Sequence, residues 1–288
     1  MTAPRLSFEF FPPNSLDASF RLWDTVRTLA PLGPQFVSVT YGAGGTTREL
    51  THDAVKTIGT HYGLNVAAHL TCVEATREET LEIARGYADA GVKEIVALRG
   101  DAPKGSETFT AHKDGFADSC ELISALADMN KFHIRVGAYP DPHPEARSTG
   151  ADVEWLKRKI DAGANSAITQ FFFEAGTFFR FRDACAAAGI TAPIIPGILP
   201  IENWKGAEKF ANRCGTKVPA WLADAFETAI RDDRHDLLAV ALCSELCSEL
   251  IDGGVEDLHF YTLNKPHLTR DVTRALGIVP EEALRDVA

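Results

Sequence analysis

Positive charge is in short supply in this chain: 29 Lys and Arg stand against 40 Asp and Glu, a formal net charge of −11. That balance argues against nucleic acid or an anionic membrane as partner, because no overall positive field draws phosphates in. A local cationic pocket stays open. Paired cysteines are lacking too. The six, at positions 72, 120, 185, 214, 243 and 247, form no C-x-x-C and no zinc-type spacing. Cys243 and Cys247, one helical turn apart on an apolar face, read as core packing. No apolar run is long enough to span a membrane, and the chain opens on a strand-like run without a basic-then-apolar leader. The expectation is a cytoplasmic protein with free thiols. Linkers rich in Pro or Ser, internal repeats and low-complexity segments are also missing, which predicts one domain over residues 1–288. Nor is there a G-x-G-x-x-G, a P-loop, an H-x-H or an H-E-x-x-H, so neither a Rossmann nucleotide site nor a familiar metal motif is indicated.

What the chain does contain is a regular alternation. With 45% hydrophobic and 24% charged residues it can build a substantial core. Strand-like runs at Leu6–Phe11, Phe36–Tyr41, Asn65–Cys72, Glu94–Arg99, His133–Tyr139, Ser166–Phe172, Pro193–Leu199 and Asp257–Leu263 alternate with helical patterns. Thr76-Arg77-Glu78-Glu79 is a capping box that opens a helix, with Gly91 after its last turn. Val153, Leu156 and Ile160 form a helical stripe ended by Gly163, and residues 204–253 hold more than one helix. Eight strands each followed by helix predict an α/β fold, a single (β/α)8 barrel with extra helices before the last strand.

Alternate residues of a strand share a face. Ser7 and Glu9 oppose Phe8 and Phe10; Ser38 and Thr40 oppose Val37 and Val39; His69 and Thr71 share a side, as do His259 and Tyr261. Tyr139 follows Arg135, Gln170 follows Ser166, and Arg99 is read onto the polar set of the fourth strand. A polar inward parity in seven of eight strands points to a ligand cavity, because buried polar groups cost free energy unless partnered. Glu9 lies among Phe8, Phe10 and Phe11. Desolvation there favours a neutral carboxyl suited to general-acid catalysis. The alternative is a structural carboxylate paired with Arg99 or Arg135.

Other segments say less alone. Arg99-Gly100-Asp101 leads into a loop with Pro103, Lys104 and Gly105 and offers a cationic fork, a close backbone approach and an acceptor, or merely a turn. Residues 42–47 read as a tight βα loop. His69, His143 and His259 with Glu9 and Asp101 leave a metal-dependent barrel hydrolase or aldolase as a second reading. Phe171-Phe172-Phe173 reads as core, although Phe172 falls on the inward parity, and Pro140, Pro142 and Pro144 stiffen a strand-end loop.

Taken together, the landmarks resemble the methylenetetrahydrofolate reductase family. They are S-F-E-F-F-P-P at Ser7–Pro13, V-S-V-T-Y-G-A-G-G from Val37, A-H-L-T-C at Ala68–Cys72 and A-L-R-G-D at Ala97–Asp101. A-Y-P-D-x-H-P-E at Ala138–Glu145, K-R-K-I-D-A-G-A at Lys157–Ala164, A-I-T-Q-F-F-F at Ala167–Phe173, P-G-I-L-P at Pro196–Pro200 and F-Y-T-L-N at Phe260–Asn264 continue the set. The resemblance implies the short bacterial form without a C-terminal regulatory domain. It implies FAD as cofactor, NADH or NADPH as electron donor and 5,10-methylenetetrahydrofolate as substrate, in one-carbon metabolism and methionine biosynthesis, with a homo-oligomer allowed. It further implies Glu9 as proton donor and Asp101 beside flavin and folate as catalytic residues. Thr40, His69, Arg99, Gly100, Asp101, Tyr139, His143, Asp152 and Lys159 fall on FAD-contacting positions; Glu9, Gln170, Phe210, Tyr261 and Lys265 fall on substrate-contacting ones; no metal is implied. Two positions depart from the family pattern: Gly206 replaces a glutamine one turn before Phe210, and Trp155 stands where an Asn is frequent. They lend what support there is to a third reading, a non-catalytic flavin- or folate-binding subunit.

Overall fold

The computed structural model describes residues 3–41, 48–101, 109–146, 148 and 150–280. The loop at 42–47 and Pro103, Lys104 and Gly105 lie outside them. Nine strands, all paired in parallel, run β1 (Arg5–Phe10), β2 (Phe36–Val39), β3 (Val66–Thr71), β4 (Glu94–Leu98), β5 (His133–Ala138), β6 (Ser166–Thr169), β7 (Ile194–Ile195), β8 (Gly197–Ile198) and β9 (Asp257–Tyr261). Their order is β7-β6-β5-β4-β3-β2-β1-β9-β8. The seventh expected strand is thus two short ones. Pro196 has no N–H to give a ladder, so the run breaks there, with β7 paired to β6 and β8 to β9. The sheet closes around on itself through that proline, an α/β barrel with eight strand positions.

Ten α-helices are seen among the described residues: α1 (Leu16–Leu29), α2 (Arg48–Tyr62), α3 (Arg77–Asp89), α4 (Ser119–Asp128), α5 (Ala151–Asp161), α6 (Ala175–Ala187), α7 (Trp204–Cys214), α8 (Ala220–Arg231), α9 (His235–Asp252) and α10 (Pro266–Ala275). Three of them, α7 to α9, fill the expected enlarged connection. The Thr76–Glu79 capping box forms, and Gly91 and Gly163 follow their helices with positive φ. All six cysteines are free, and Cys243 and Cys247 are buried in α9. No helix among the described residues is long and apolar enough to cross a membrane.

Strand parity sorts the two sides of the sheet. Phe8, Phe10, Val37, Val39, Ala68, Leu70, Ile95, Ala97, Val136 and Phe260 pack outward in the main core. Burying such side chains stabilises the fold by about 1.5–3 kcal/mol each. Inside lie Ser7, Glu9, Ser38, His69, Glu94, Arg135, Ser166 and His259, with a small apolar group of Phe36, Ala67, Val96, Ile168 and Ile195. Two placements differ from expectation. Ile95 and Ala97 face outward, so the inner polar residue of β4 is Glu94; Arg99 lies beyond the strand, where Gly100 at φ +89° turns the chain. Phe172 packs outward with Phe178, because β6 stops at Thr169 and the alternation stops with it.

Candidate active site

Glu9 stands near the C-terminal end of β1, level with Ser38 on β2 and Tyr261 on β9. Its Oε2 lies 3.4 Å from His69 Nε2 and 3.9 Å from His259 Nε2. Among the described residues no arginine pairs with it: Arg135 bonds Glu94 at 2.6 Å deep in the barrel, and Arg99 forks onto Glu145 at 2.7 and 3.2 Å. Burial pushes the Glu9 carboxyl up, but the His259 and His69 imidazoles outweigh it and hold the group at about 2. The carboxyl is therefore ionised here, contrary to the expectation drawn from its phenylalanine neighbours, since Phe8 and Phe10 face away from it. The phenylalanines are neighbours in sequence only; the imidazoles arrive from strands 60 and 250 residues away.

His259 is fully buried, and burial pushes its imidazole down. Its Nδ1 lies 2.8 Å from Ser7 Oγ, which is also 3.3 Å from the Leu258 carbonyl. Two arrangements of a neutral ring follow. Ser7 can donate to Nδ1, leaving Nε2–H facing Glu9; or Nδ1–H can donate to Ser7 while the hydroxyl donates to Leu258, leaving an Nε2 lone pair facing Glu9. Tyr261 lies edge-on to this ring at 5.3 Å and donates to the Thr169 carbonyl at 2.7 Å. Gly197 makes that closeness possible: a Cβ there would fall 2.1 Å from Thr169 O and 2.5 Å from the Tyr261 ring.

A second group gathers beside the first. Arg99, Tyr139, His143, Glu145, Asp152 and Lys159 come from the ends of β4 and β5 and from α5. The Tyr139 and His143 rings meet edge-on at 4.6 Å, and the Asp152 carboxylate accepts from the His143 backbone N–H at 3.1 Å. Lys159 is buried beneath Tyr139, 5.9 Å from its ring centroid, and donates to the Gly137 carbonyl at 2.7 Å. Burial pulls its ammonium down to about 8 and pushes the Tyr139 hydroxyl up to about 12. Asp101 is exposed next to Gly100. Thr40 extends the end of β2, its N–H bonded to Phe10 O and its carbonyl to Thr51.

The remaining expected residues are more dispersed. Gln170, just past β6, uses its side-chain oxygen to accept from the Phe171 backbone N–H at 3.1 Å. Phe210 on α7 packs 5.1 Å from Phe171. Lys265 is exposed at the start of α10. Gly206 is exposed in the first turn of α7, its N–H capped by Asn203, and Trp155 lies under the Arg158 guanidinium at 4.3 Å. Sequence reasoning gave Ser7 and Glu145 no role and considered His259 only as a candidate metal ligand. Parity had already turned Ser7 and His259 inward; Glu145 carried no signal beyond its place in a proline-rich loop.

Four buried polar side-chain atoms without a hydrogen-bond partner face the barrel interior: Ser38 Oγ, His69 Nε2, Thr71 Oγ1 and His259 Nε2. Such atoms are rare in native proteins and are met by ligands or ordered water. No group of three His, Cys, Asp or Glu suited to a metal ion occurs among the described residues. A closed parallel barrel with a charged, incompletely bonded cavity toward the C-terminal ends of its strands defines a (β/α)8 enzyme.

Comparison with known proteins narrows the class. A family model described as methylenetetrahydrofolate reductase matches residues 2–277. The 5,10-methylenetetrahydrofolate reductase of Escherichia coli K12 is 45% identical over 276 residues, covering 96% of this chain and 91% of that protein. That of Pectobacterium carotovorum is 44% identical over 279 residues, covering 96% and 92%. The Arabidopsis thaliana methylenetetrahydrofolate reductase (NADH) 1 is 33% identical over 291 residues, covering 96% of this chain but 49% of the plant protein. The chain belongs to the methylenetetrahydrofolate reductase family and is an oxidoreductase. Among solved structures, an uncharacterised Clostridium thermocellum protein that binds two copies of 5-methyl-5,6,7,8-tetrahydrofolic acid aligns with TM-score 0.59 at 14% identity, over 96% and 94% of the two chains. A 2,3-dimethylmalate lyase aligns with TM-score 0.55 at 10% identity, over 95% and 78%. At those identities the likeness is one of fold, which hosts unrelated chemistries.

Proposed function

We propose that this chain reduces 5,10-methylenetetrahydrofolate to 5-methyltetrahydrofolate, holding FAD as resident cofactor and taking electrons from NADH or NADPH. The observation that carries the reading is Glu9, set between two buried imidazoles among unsatisfied polar atoms. The residues fit the cofactor. At Gly100 a Cβ would meet Val73 and Thr71 at about 3.0 Å, so glycine there lets the chain turn tightly past the end of β3 and sets Arg99 and Asp101 at the rim. Thr40, His69, Tyr139 and Asp101 offer polar groups to the flavin, and Arg99, His143 and Lys159 concentrate cationic character for a diphosphate in an acidic protein. Asp152 holds the His143 loop, and Glu145 releases Arg99 when an anion competes for it. When bound, FAD supplies the two-electron chemistry that lets one site accept hydride from a nicotinamide and deliver it to the folate.

The chain's own task in the second half-reaction is a proton. Opening the folate's five-membered ring to a reactive iminium needs protonation of a ring nitrogen, and we assign that proton to Glu9. An ionised carboxyl becomes neutral when an apolar ring covers it and excludes water. A neutral His259 suits either state: one tautomer turns Nε2–H toward the carboxylate, the other an Nε2 lone pair toward the carboxylic acid. Gln170 and Tyr261 orient the pterin, Phe210 closes over it, and Lys265 meets the glutamate tail. Nicotinamide and folate use the same place in turn, a ping-pong order. We place the protein in the cytoplasm, which suits its six free thiols.

Glu9→Gln tests this. The expected outcome is flavin reduction by NADH within about twofold of wild type, with folate reduction down at least about a hundredfold. Equal loss of both half-reactions would make Glu9 structural, and a chain that cannot retain FAD at all would end the proposal.

A further inference from the structure

Below Glu9 the barrel interior contains an unbroken stack that the proposed chemistry does not use. Glu94 on β4 and Arg135 on β5 form a buried ion pair at 2.6 Å, completed by Asn65 on the Glu94 carboxylate and by Ser166 on an Arg135 N–H at 3.1 Å. The guanidinium carbon lies 3.7 Å from the centroid of the Phe36 ring. The Phe36 ring also stacks with the His259 ring, at 5.6 Å with 13° between planes. The next group is Glu9, 3.9 Å from His259 Nε2. Five strands therefore contribute to one column running from the N-terminal end of the barrel to the carboxyl at the other.

A pair as costly to bury as Glu94 with Arg135 is weak evidence of stabilisation alone, which leaves its orientation to explain. Arg135, not Glu94, faces the aromatic ring. We infer that Arg135 and Phe36 are positioning residues: Phe36 fixes the plane of His259, and the guanidinium against Phe36 adds to burial in keeping that imidazole neutral, so that Glu9 can exist as carboxylate or as acid. This rests on the function proposed above.

The argument is electrostatic and steric. A guanidinium is attracted to the face of a desolvated aromatic ring, and the Phe36 ring thus held leaves His259 a single plane. The charged and titratable groups facing His259 are Glu9 from β1, His69 from β3, Arg135 from β5 and Tyr261 on β9 itself; the first favours an imidazolium and the two cationic or potentially cationic ones oppose it. An imidazolium would donate from both nitrogens, could accept nothing from a protonated Glu9, and would hold the carboxyl ionised. Removing the cation behind Phe36 tips this balance toward the imidazolium.

The test uses the FAD-loaded protein with 15N-labelled histidine. In wild type, the His259 ring is expected to remain neutral from pH 8 down to roughly 5.5. In Glu94→Gln/Arg135→Met, which removes both charges together, its titration moves up by about one pH unit. The acid limb of the folate half-reaction's pH profile then moves up with it, so that the rate at pH 5 falls by up to about tenfold while the rate at pH 7 changes little, with NADH reduction of the flavin unchanged. Arg135→Lys keeps a cation and stays near wild type in both readouts. Where the double variant does not fold, Glu94→Gln/Arg135→Gln, which removes the same two charges and keeps both side chains polar, is expected to give the same two changes. A charged His259 in wild type at pH 7, or a titration that stays put in the folded variant, overturns the inference; so does an equal fall of both half-reactions. If the titration moves as stated but no variant or wild type reduces folate, the functional proposal fails and the column stands.

Discussion

Lys159 carries an ammonium into the protein interior with one hydrogen bond, to the Gly137 carbonyl. Its folded pKa is about 8 against 10.5 for an ordinary lysine. Between those values the unfolded chain binds more protons than the folded one, so stability rises with pH across that window. Lys159→Met is expected to abolish the rise in urea midpoint between pH 8 and 10.5; a variant that keeps the slope would show the lysine is not its source. Glu9 runs the other way. Its folded carboxyl titrates at about 2 against 4.5, so its contribution is present above 4.5 and lost as pH falls toward 2. Glu9→Gln is expected to flatten acid unfolding over that interval, measured by circular dichroism on FAD-free protein. The imidazole partners of Glu9 come from distant strands, which is why neighbouring residues pointed to a neutral Glu9.

At the scale of elements, the point of least tolerance is the junction of β7 and β8. Pro196 breaks the ladder and Gly197 brings the backbone against Thr169 and Tyr261, so the last contacts that close the barrel depend on an absent side chain. Gly197→Ala is expected to cost more than about 3 kcal/mol, read from the urea midpoint or, in the limit, from loss of folded protein. Gly100→Ala meets both positive φ and two side chains, and is expected to cost about 1–3 kcal/mol. A neutral result at either would mean the rim backbone has more room than the geometry allows. Strand ends at Thr169 and Leu98 were harder to read than strand centres. Periodicity continues formally through Phe172 and Arg99 in sequence, but the hydrogen-bond partners that define an end belong to other strands.

For the molecule as a whole, binding and stability are linked. FAD at about 100 times its dissociation constant adds about 2.7 kcal/mol to the folded state, so thermal melting is expected several degrees higher with FAD than without. The buried pair at the other end has no such dependence. Arg135→Met alone strands Glu94 and is expected to cost about 3–5 kcal/mol with or without cofactor, whereas the double neutral variant recovers much of that loss. An equal cost for single and double variants would show that the two charges act independently.

The barrel, its enlarged last connection and the inward polar set were written in the chain, because parity and capping are local periodicities that survive without knowledge of neighbours. The family was legible in ordered motifs for the same reason. Which groups meet was not. That Glu9 faces His69 and His259 rather than an arginine, that Arg99 turns to Glu145, and that Arg135 stacks through Phe36 beneath the carboxyl all depend on strand register around a closed ring. Register is set by contacts between residues far apart in sequence, and the charge state of the central carboxyl follows from those contacts alone.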